Sequence, residues 1–229
     1  MVAMNMPKAV ASAVLGCALV SMAPQAAATS ISVKVWEGVN TAGSGGADEQ
    51  ARPSNPLAGA TPNAAFTYTF SGGLSWVETT QASNTLSANV GSGGGSIAGC
   101  VGTSCNGATG LMSDVLSTSG FQRTSLFELT FTTSGPTVGV IGHDDGASIY
   151  DGSNTTAYYY DPEPTVLDTS VFSLPAAGTY NIWYVEANGA PSDLILNLRS
   201  LTSVPEPATL GLMGLGLIGI GFARRGRKN

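Results

Sequence analysis

Charge is scarce in this chain of 229 residues, where Asp, Glu, Lys and Arg together make up 10%. Helical bundles and coiled coils are built on Ala, Glu, Lys, Leu and Arg, so this composition argues against them. Positive charge is scarcer still: nine Lys and Arg oppose fifteen Asp and Glu for a net charge of −6. Nucleic-acid binding therefore has no electrostatic basis. The single histidine, His143, leaves a Ser-His-Asp triad one candidate base, and neither a Gly-x-Ser-x-Gly elbow nor a Gly-Lys-Ser/Thr phosphate cradle occurs. Catalysis has little support, and the expectation is a protein that is not an enzyme. Turn chemistry is abundant instead, with 30 Gly and 12 Pro beside a wealth of Ser and Thr. The length suits one ordinary domain of roughly 150 to 200 residues once the ends are set aside.

The charges are unevenly placed. Lys8, Arg224, Arg225, Arg227 and Lys228 lie near the ends, and every acid lies between Thr29 and Pro207. That middle section is strongly anionic. It could hold cations, or its charge could serve solubility alone.

Both ends read as addresses. Residues 1–28 carry one charge, Lys8, then an apolar run from Ala9 to Val20 and the small residues Ala26, Ala27 and Ala28. This is the pattern of a signal peptide, with cleavage by signal peptidase expected after Ala28. Cys17 follows Val14-Leu15-Gly16, a poor lipobox, and is discarded with the signal. At the other end, residues 208–223 are uncharged and precede Arg224-Arg225-Gly226-Arg227-Lys228. As a helix that stretch spans about 24 Å, enough for one short transmembrane helix with snorkelling basic flanks on the cytoplasmic side. Gly214, Gly216 and Gly219 satisfy G-x-G-x-x-G, but no βαβ unit follows, so a dinucleotide site is excluded.

Val204, Pro205, Glu206 and Pro207, followed by that Gly- and Leu-rich stretch and the basic terminus, resemble the PEP-CTERM sorting signal of Gram-negative bacteria. The resemblance covers residues 204–229. It implies an exosortase-type membrane protease as partner, cutting near Pro205-Glu206-Pro207. It also implies an exported protein, membrane-anchored before processing and then at the cell surface or in the extracellular, biofilm-type matrix.

Residues 29–203 read as one all-β domain. Ile31, Val33 and Val35 alternate with polar residues, as do Phe66, Tyr68 and Phe70, and Phe127, Leu129 and Phe131. Further strands are expected at 74–77, 138–141, 148–150, 171–174, 180–185 and 194–198. Gly-rich turns separate them, and an antiparallel β-sandwich of about eight to ten strands, of jelly-roll type, is the natural architecture. No amphipathic helix is expected. Residues 41–62 and 91–110 read as long surface loops. The second holds Cys100 and Cys105, expected in an exported protein to form a local disulfide.

The densest polar group is His143-Asp144-Asp145-Gly146, with Asp151-Gly152 and Asp161 beyond. Adjacent carboxylates repel unless protons or a cation intervene, and calcium prefers such oxygen ligands. On spacing alone, an Asp-Gly turn with solvated carboxylates is the plainer reading. Residues 127–131, 138–152 and 178–186 resemble the later half of PA14-like β-sandwich domains. Adhesins of that family hold calcium on an Asp-Asp pair joined by a cis peptide, and the calcium grips sugar hydroxyls. The resemblance implies Asp144 and Asp145 as the paired ligands and Asn188 as a third. Three functions follow in order: calcium-assisted carbohydrate binding, with extracellular polysaccharide as partner; a non-catalytic structural matrix domain; and an extracellular hydrolase, for which Asp144 could pair with Glu163 or Glu186.

Overall fold

The computed structural model of the chain describes residues 28–39 and 45–200. The expected signal helix, the Val204-Pro205-Glu206-Pro207 motif and the C-terminal helix lie outside them. Among the described residues, no helix is long and apolar enough to cross a membrane. Ala28, the expected cleavage residue, is the first residue of a strand and pairs with Ser71.

Eleven strands occur in chain order among the described residues: β1 (Ala28–Val39), β2 (Ala64–Ser71), β3 (Leu74–Glu78), β4 (Ser96–Val101), β5 (Arg123–Thr133), β6 (Thr137–Asp144), β7 (Ala147–Asp151), β8 (Ala157–Asp161), β9 (Asp168–Leu174), β10 (Gly178–Glu186) and β11 (Ser192–Ser200). They form a seven-stranded sheet, β4-β2-β1-β5-β10-β7-β8, and a four-stranded sheet, β3-β11-β6-β9. Every pairing is antiparallel. The expected alternation sets the inner face: Ile31, Val33, Val35, Phe66, Tyr68, Phe70, Phe127, Leu129 and Phe131 all enter the core between the sheets. Trp76 of β3, fully buried, lies edge-on to Tyr68 at 5.3 Å between ring centroids.

Three expectations are corrected. A short helix, α1 (Leu86–Ser92), is present, capped by Thr85 and burying Leu86 and Val90. Residues 91–110 contain β4, an edge strand against β2 in which only Cys100 is buried. Residues 41–62 are not simply surface loop: from Gly45 onward two 3-10 turns, Ala47–Glu49 and Pro56–Gly59, cover the outer face of the large sheet. There Ala51, Leu57 and Ala58 join Trp36, Leu126, Trp183 and Val185 in a second apolar cluster, with the two indoles stacked at 5.9 Å. Strands apolar on both faces need such cover, since a bare sheet face would leave these rings in water. Cys100 and Cys105 form the expected disulfide, with Cα atoms 5.7 Å apart.

Three connections place the candidate site. β6 belongs to the small sheet and β7 to the large one, so the chain changes sheet through Asp144, Asp145 and Gly146. It changes back between β8 and β9 through residues 162–167, and again between β10 and β11 through residues 187–191. The registers Asp193↔Asp144, His143↔Asp168, Ala147↔Asp161 and Tyr184↔Ala147 put all three crossings at one end of the sandwich.

Candidate functional site

The three crossings enclose an open cavity of about 270 Å³, lined by Asp144, Asp145, Asn188, the 164–166 and 189–191 segments, and Phe121. The structure thus brings together the three residues expected to share a site. Gly146 permits the tight passage between sheets: a Cβ there would collide with the Pro162 carbonyl, and the Glu163 carbonyl lies close behind. Gly189, at φ +85°, occupies backbone that L side chains rarely adopt and would strike Ser119 and Gln81 if substituted.

The Asp144–Asp145 peptide is cis, as is Ala190–Pro191. Asp145 Oδ2 accepts hydrogen bonds from the backbone amides of Ala187 at 2.7 Å and Asn188 at 3.0 Å, which ties the first crossing to the third. The Tyr184 hydroxyl donates to the Asp144 carbonyl at 2.8 Å. Asn188 Oδ1 accepts a long bond, 3.4 Å, from the Gly120 amide.

Carboxylates crowd this end, and among the described residues no base compensates them. Burial, then the Asp145 and Asp193 carboxylates, push Asp144 up to about 7, while the Leu167 backbone amide draws it down. Burial pushes Asp145 up to about 6 against its two amide donors. Beneath them Glu186 is fully buried, and burial together with the neighbouring Asp145 holds it well above the usual carboxylate range. Its Oε2 accepts from the Ser192 hydroxyl at 2.6 Å, and its Oε1 has no partner. Asp193, across the ladder from Asp144, also buries an unpartnered Oδ1 and is raised by burial. Among the described residues, Lys34 pairs with Glu128, and His143 Nε2 lies 3.8 Å from Asp161 Oδ2; neither base reaches these four acids, which are left without a cationic partner.

The donor set fits a hard cation. Asp144, Asp145, Asn188 and Thr165, all oxygen-bearing residues, line the cavity, and the two carboxyls ionise cheaply only beside positive charge. The remainder of the expected polar constellation lies elsewhere. Asp151, at the end of β7, caps its own loop through the Thr155 amide and hydroxyl and the Thr156 amide, which hold it down to about 2. Asp161 belongs with His143, beside the cavity. For the hydrolase reading, Glu186 is sealed from solvent and Glu163 bonds the Gln50 amide, so neither makes a ready partner to Asp144.

Sequence reasoning missed Asp193 and the 162–167 crossing. Asp193 heads the apolar strand 194–196, where an acid interrupting a strand's start was the available signal.

An antiparallel β-sandwich with an acidic end cavity defines the class, and comparison refines it. Residues 203–228 match the PEP-CTERM protein-sorting motif, which implies export, anchoring at the membrane before processing, and exosortase as the processing protease. Among curated proteins none matches the chain. Among solved structures, a PA14 sugar-binding domain from an RTX adhesin aligns with a TM-score of 0.50 at 12% identity, over 78% of this chain and 93% of its own. The PA14 domain of the antifreeze protein MpAFP aligns with a TM-score of 0.47 at 11% identity, over 76% and 83%. The sandwich is PA14-like in fold.

Proposed function

We propose that this exported chain binds carbohydrate through a calcium ion held at Asp144 and Asp145, with the Asn188 side chain as a third ligand. The observation that carries the reading is the cavity itself, where two crowded carboxyls meet open space and, among the described residues, no Lys or Arg pairs with them. Calcium supplies the positive charge that lets both ionise, and its remaining coordination positions suit vicinal sugar hydroxyls. The sugar-binding adhesin domain of like fold supports this choice of ligand. Asp145 is positioned by the Ala187 and Asn188 amides, leaving Oδ1 for the ion, and Phe121 offers an apolar wall for a sugar face. The module binds rather than catalyses, and extracellular polysaccharide at the cell surface or in the matrix is its partner class.

A structural role for the turn has one observation in its favour: Asp145 Oδ2 and Asn188 Oδ1 already hold backbone amides. Retention of the full chain, in detergent, on immobilised polysaccharides separates the two. Binding predicts retention that is lost with chelator and in Asp144→Asn/Asp145→Asn. It also predicts a calcium-dependent rise in melting temperature of about 5–10 °C at a hundredfold excess over the dissociation constant. No rise at saturating calcium would end the calcium reading.

A further inference from the structure

We infer that His143, Asp161 and Asp168 form a second cation site, selective for a borderline divalent metal of the zinc type, at the base of the 162–167 crossing. One nitrogen of His143 and one carboxylate oxygen from each aspartate lie within 4.8 Å of one another. They come from three strands: His143 near the end of β6, Asp168 directly opposite it at the start of β9, and Asp161 at the end of β8 in the other sheet.

The histidine is set up as a ligand. Its Nδ1 lies 2.6 Å from the Asp145 carbonyl, which can only accept, so Nδ1 carries the proton and Nε2 presents its lone pair. A ring N–H held by a backbone carbonyl is the outer-shell arrangement that fixes a metal-binding imidazole. The ring is fully buried, and Nε2 faces Asp161 Oδ2 at 3.8 Å. The Tyr159 hydroxyl donates to Nε2 at 2.6 Å, occupying the lone-pair direction until an ion takes it. Asp168 accepts from the Ser170 hydroxyl at 3.2 Å. Both aspartates are partly exposed, so their carboxylates can close on an ion from the solvent side. Among the described residues, neither pairs with Lys or Arg.

One imidazole with two carboxylates suits zinc, cobalt or manganese better than calcium, whose ligands are all oxygen. The ion would have a structural consequence, because Asp161 and Asp168 bracket the segment that walls the Asp144–Asp145 cavity. Clamping both ends of residues 162–167 would fix that wall. It would also bridge the two sheets where Val166, 81% exposed, and Leu167 form an uncovered tip.

The test is titration of the untagged full chain, in detergent and in saturating calcium, with zinc by calorimetry and with cobalt by visible absorption. Calcium occupies the Asp144–Asp145 cavity on the proposed reading, so failure there and failure here read out separately. A single saturable site is expected, with a cobalt spectrum showing a nitrogen ligand. Asp161→Asn and Asp168→Asn should each weaken zinc at least about tenfold, and His143→Gln should do the same if it folds. The two aspartate variants, at partly exposed positions, keep the test decisive if His143→Gln does not fold. Absence of saturable binding, or affinity unchanged in both aspartate variants, would overturn the site.

Discussion

Raising the pH should destabilise the calcium-free chain between about pH 5 and 7. Asp144, Asp145 and Glu186 hold their protons more tightly folded than unfolded, because burial and mutual repulsion penalise the ionised forms. A carboxyl raised in this way contributes its full stability below its unfolded pKa and loses it as the pH climbs through the folded value. For Asp144 the loss runs from the ordinary 3.8 to about 7, and for Asp145 from 3.8 to about 6. Each proton carried only by the folded state lowers the unfolding free energy by about 1.4 kcal/mol per pH unit. Solvent in the cavity screens the aspartate pair, so their share is discounted, while sealed Glu186 stays near the full slope. A net slope of about 1–3 kcal/mol per pH unit follows, or roughly 2–12 °C of melting temperature in a domain of this size. Asp151, held down to about 2, changes charge well below this window.

The assay is thermal unfolding at pH 5, 6, 7 and 8, in chelator and in saturating calcium. In chelator the midpoint should fall with pH, and Glu186→Gln should flatten the fall while keeping a partner for Ser192. In calcium the ionised pair is the bound form, so the midpoint should hold or rise with pH. A midpoint that rises with pH in chelator would refute the reasoning. It would mean that the protein alone stabilises the charged carboxylates, leaving no electrostatic need for an ion.

Gly146→Ala should cost about 1–3 kcal/mol in denaturant unfolding, since its Cβ meets fixed backbone carbonyls at residues 162 and 163 rather than a yielding side chain. Asn154→Ala removes the one acceptor shared by Trp183 Nε1 and Asn181 Nδ2, both at 3.0 Å. It should cost about 2–3 kcal/mol by calorimetry, whereas Asn154→Asp, which keeps the oxygen, should cost little. Reducing Cys100–Cys105, or replacing both residues by Ala, opens a loop five residues apart in sequence and should cost about 2 kcal/mol by denaturant midpoint.

The strands that could be read from the chain are those whose two faces differ. Ile31, Val33 and Val35 alternate with Ser32 and Lys34 because one face meets the core and the other meets water, where Lys34 pairs with Glu128 at 2.6 Å. α1 escaped because a seven-residue helix shows its period only once, as Leu86 and Val90. β4 escaped because an edge strand with one buried residue has no alternation to show. The cover over Trp36 and Trp183 was hidden in a Gly- and Pro-rich stretch, although the runs Val35-Trp36, Leu126-Phe127 and Ile182-Trp183-Tyr184-Val185 already signalled strands buried on both faces. Asp144 and Asp145 stood out as adjacent carboxylates before any resemblance, but Asn188 entered only through the family resemblance, since its approach depends on how three crossings stack, and pairwise spacing along the chain does not encode that.

The same stacking explains why acids gather at this end. A strand that changes sheet must leave its ladder, and its backbone amides and carbonyls then need partners other than a neighbouring strand. Asp145 supplies one acceptor for the Ala187 and Asn188 amides, and Tyr184 supplies a donor for the Asp144 carbonyl, so the first crossing is tied to the strand that leads into the third. Those bonds draw carboxyls into a place where Glu186 and Asp193 already lie, and among the described residues no Lys or Arg side chain pairs with them. The group is then stable in one of two states, protonated or beside a cation. Outside the cell, where the sorting motif directs the chain, calcium is the abundant hard cation, and extracellular modules bind it with dissociation constants of about 0.1–1 mM. The arrangement that solves the crossing's hydrogen-bonding problem is therefore also one that an external ion can complete.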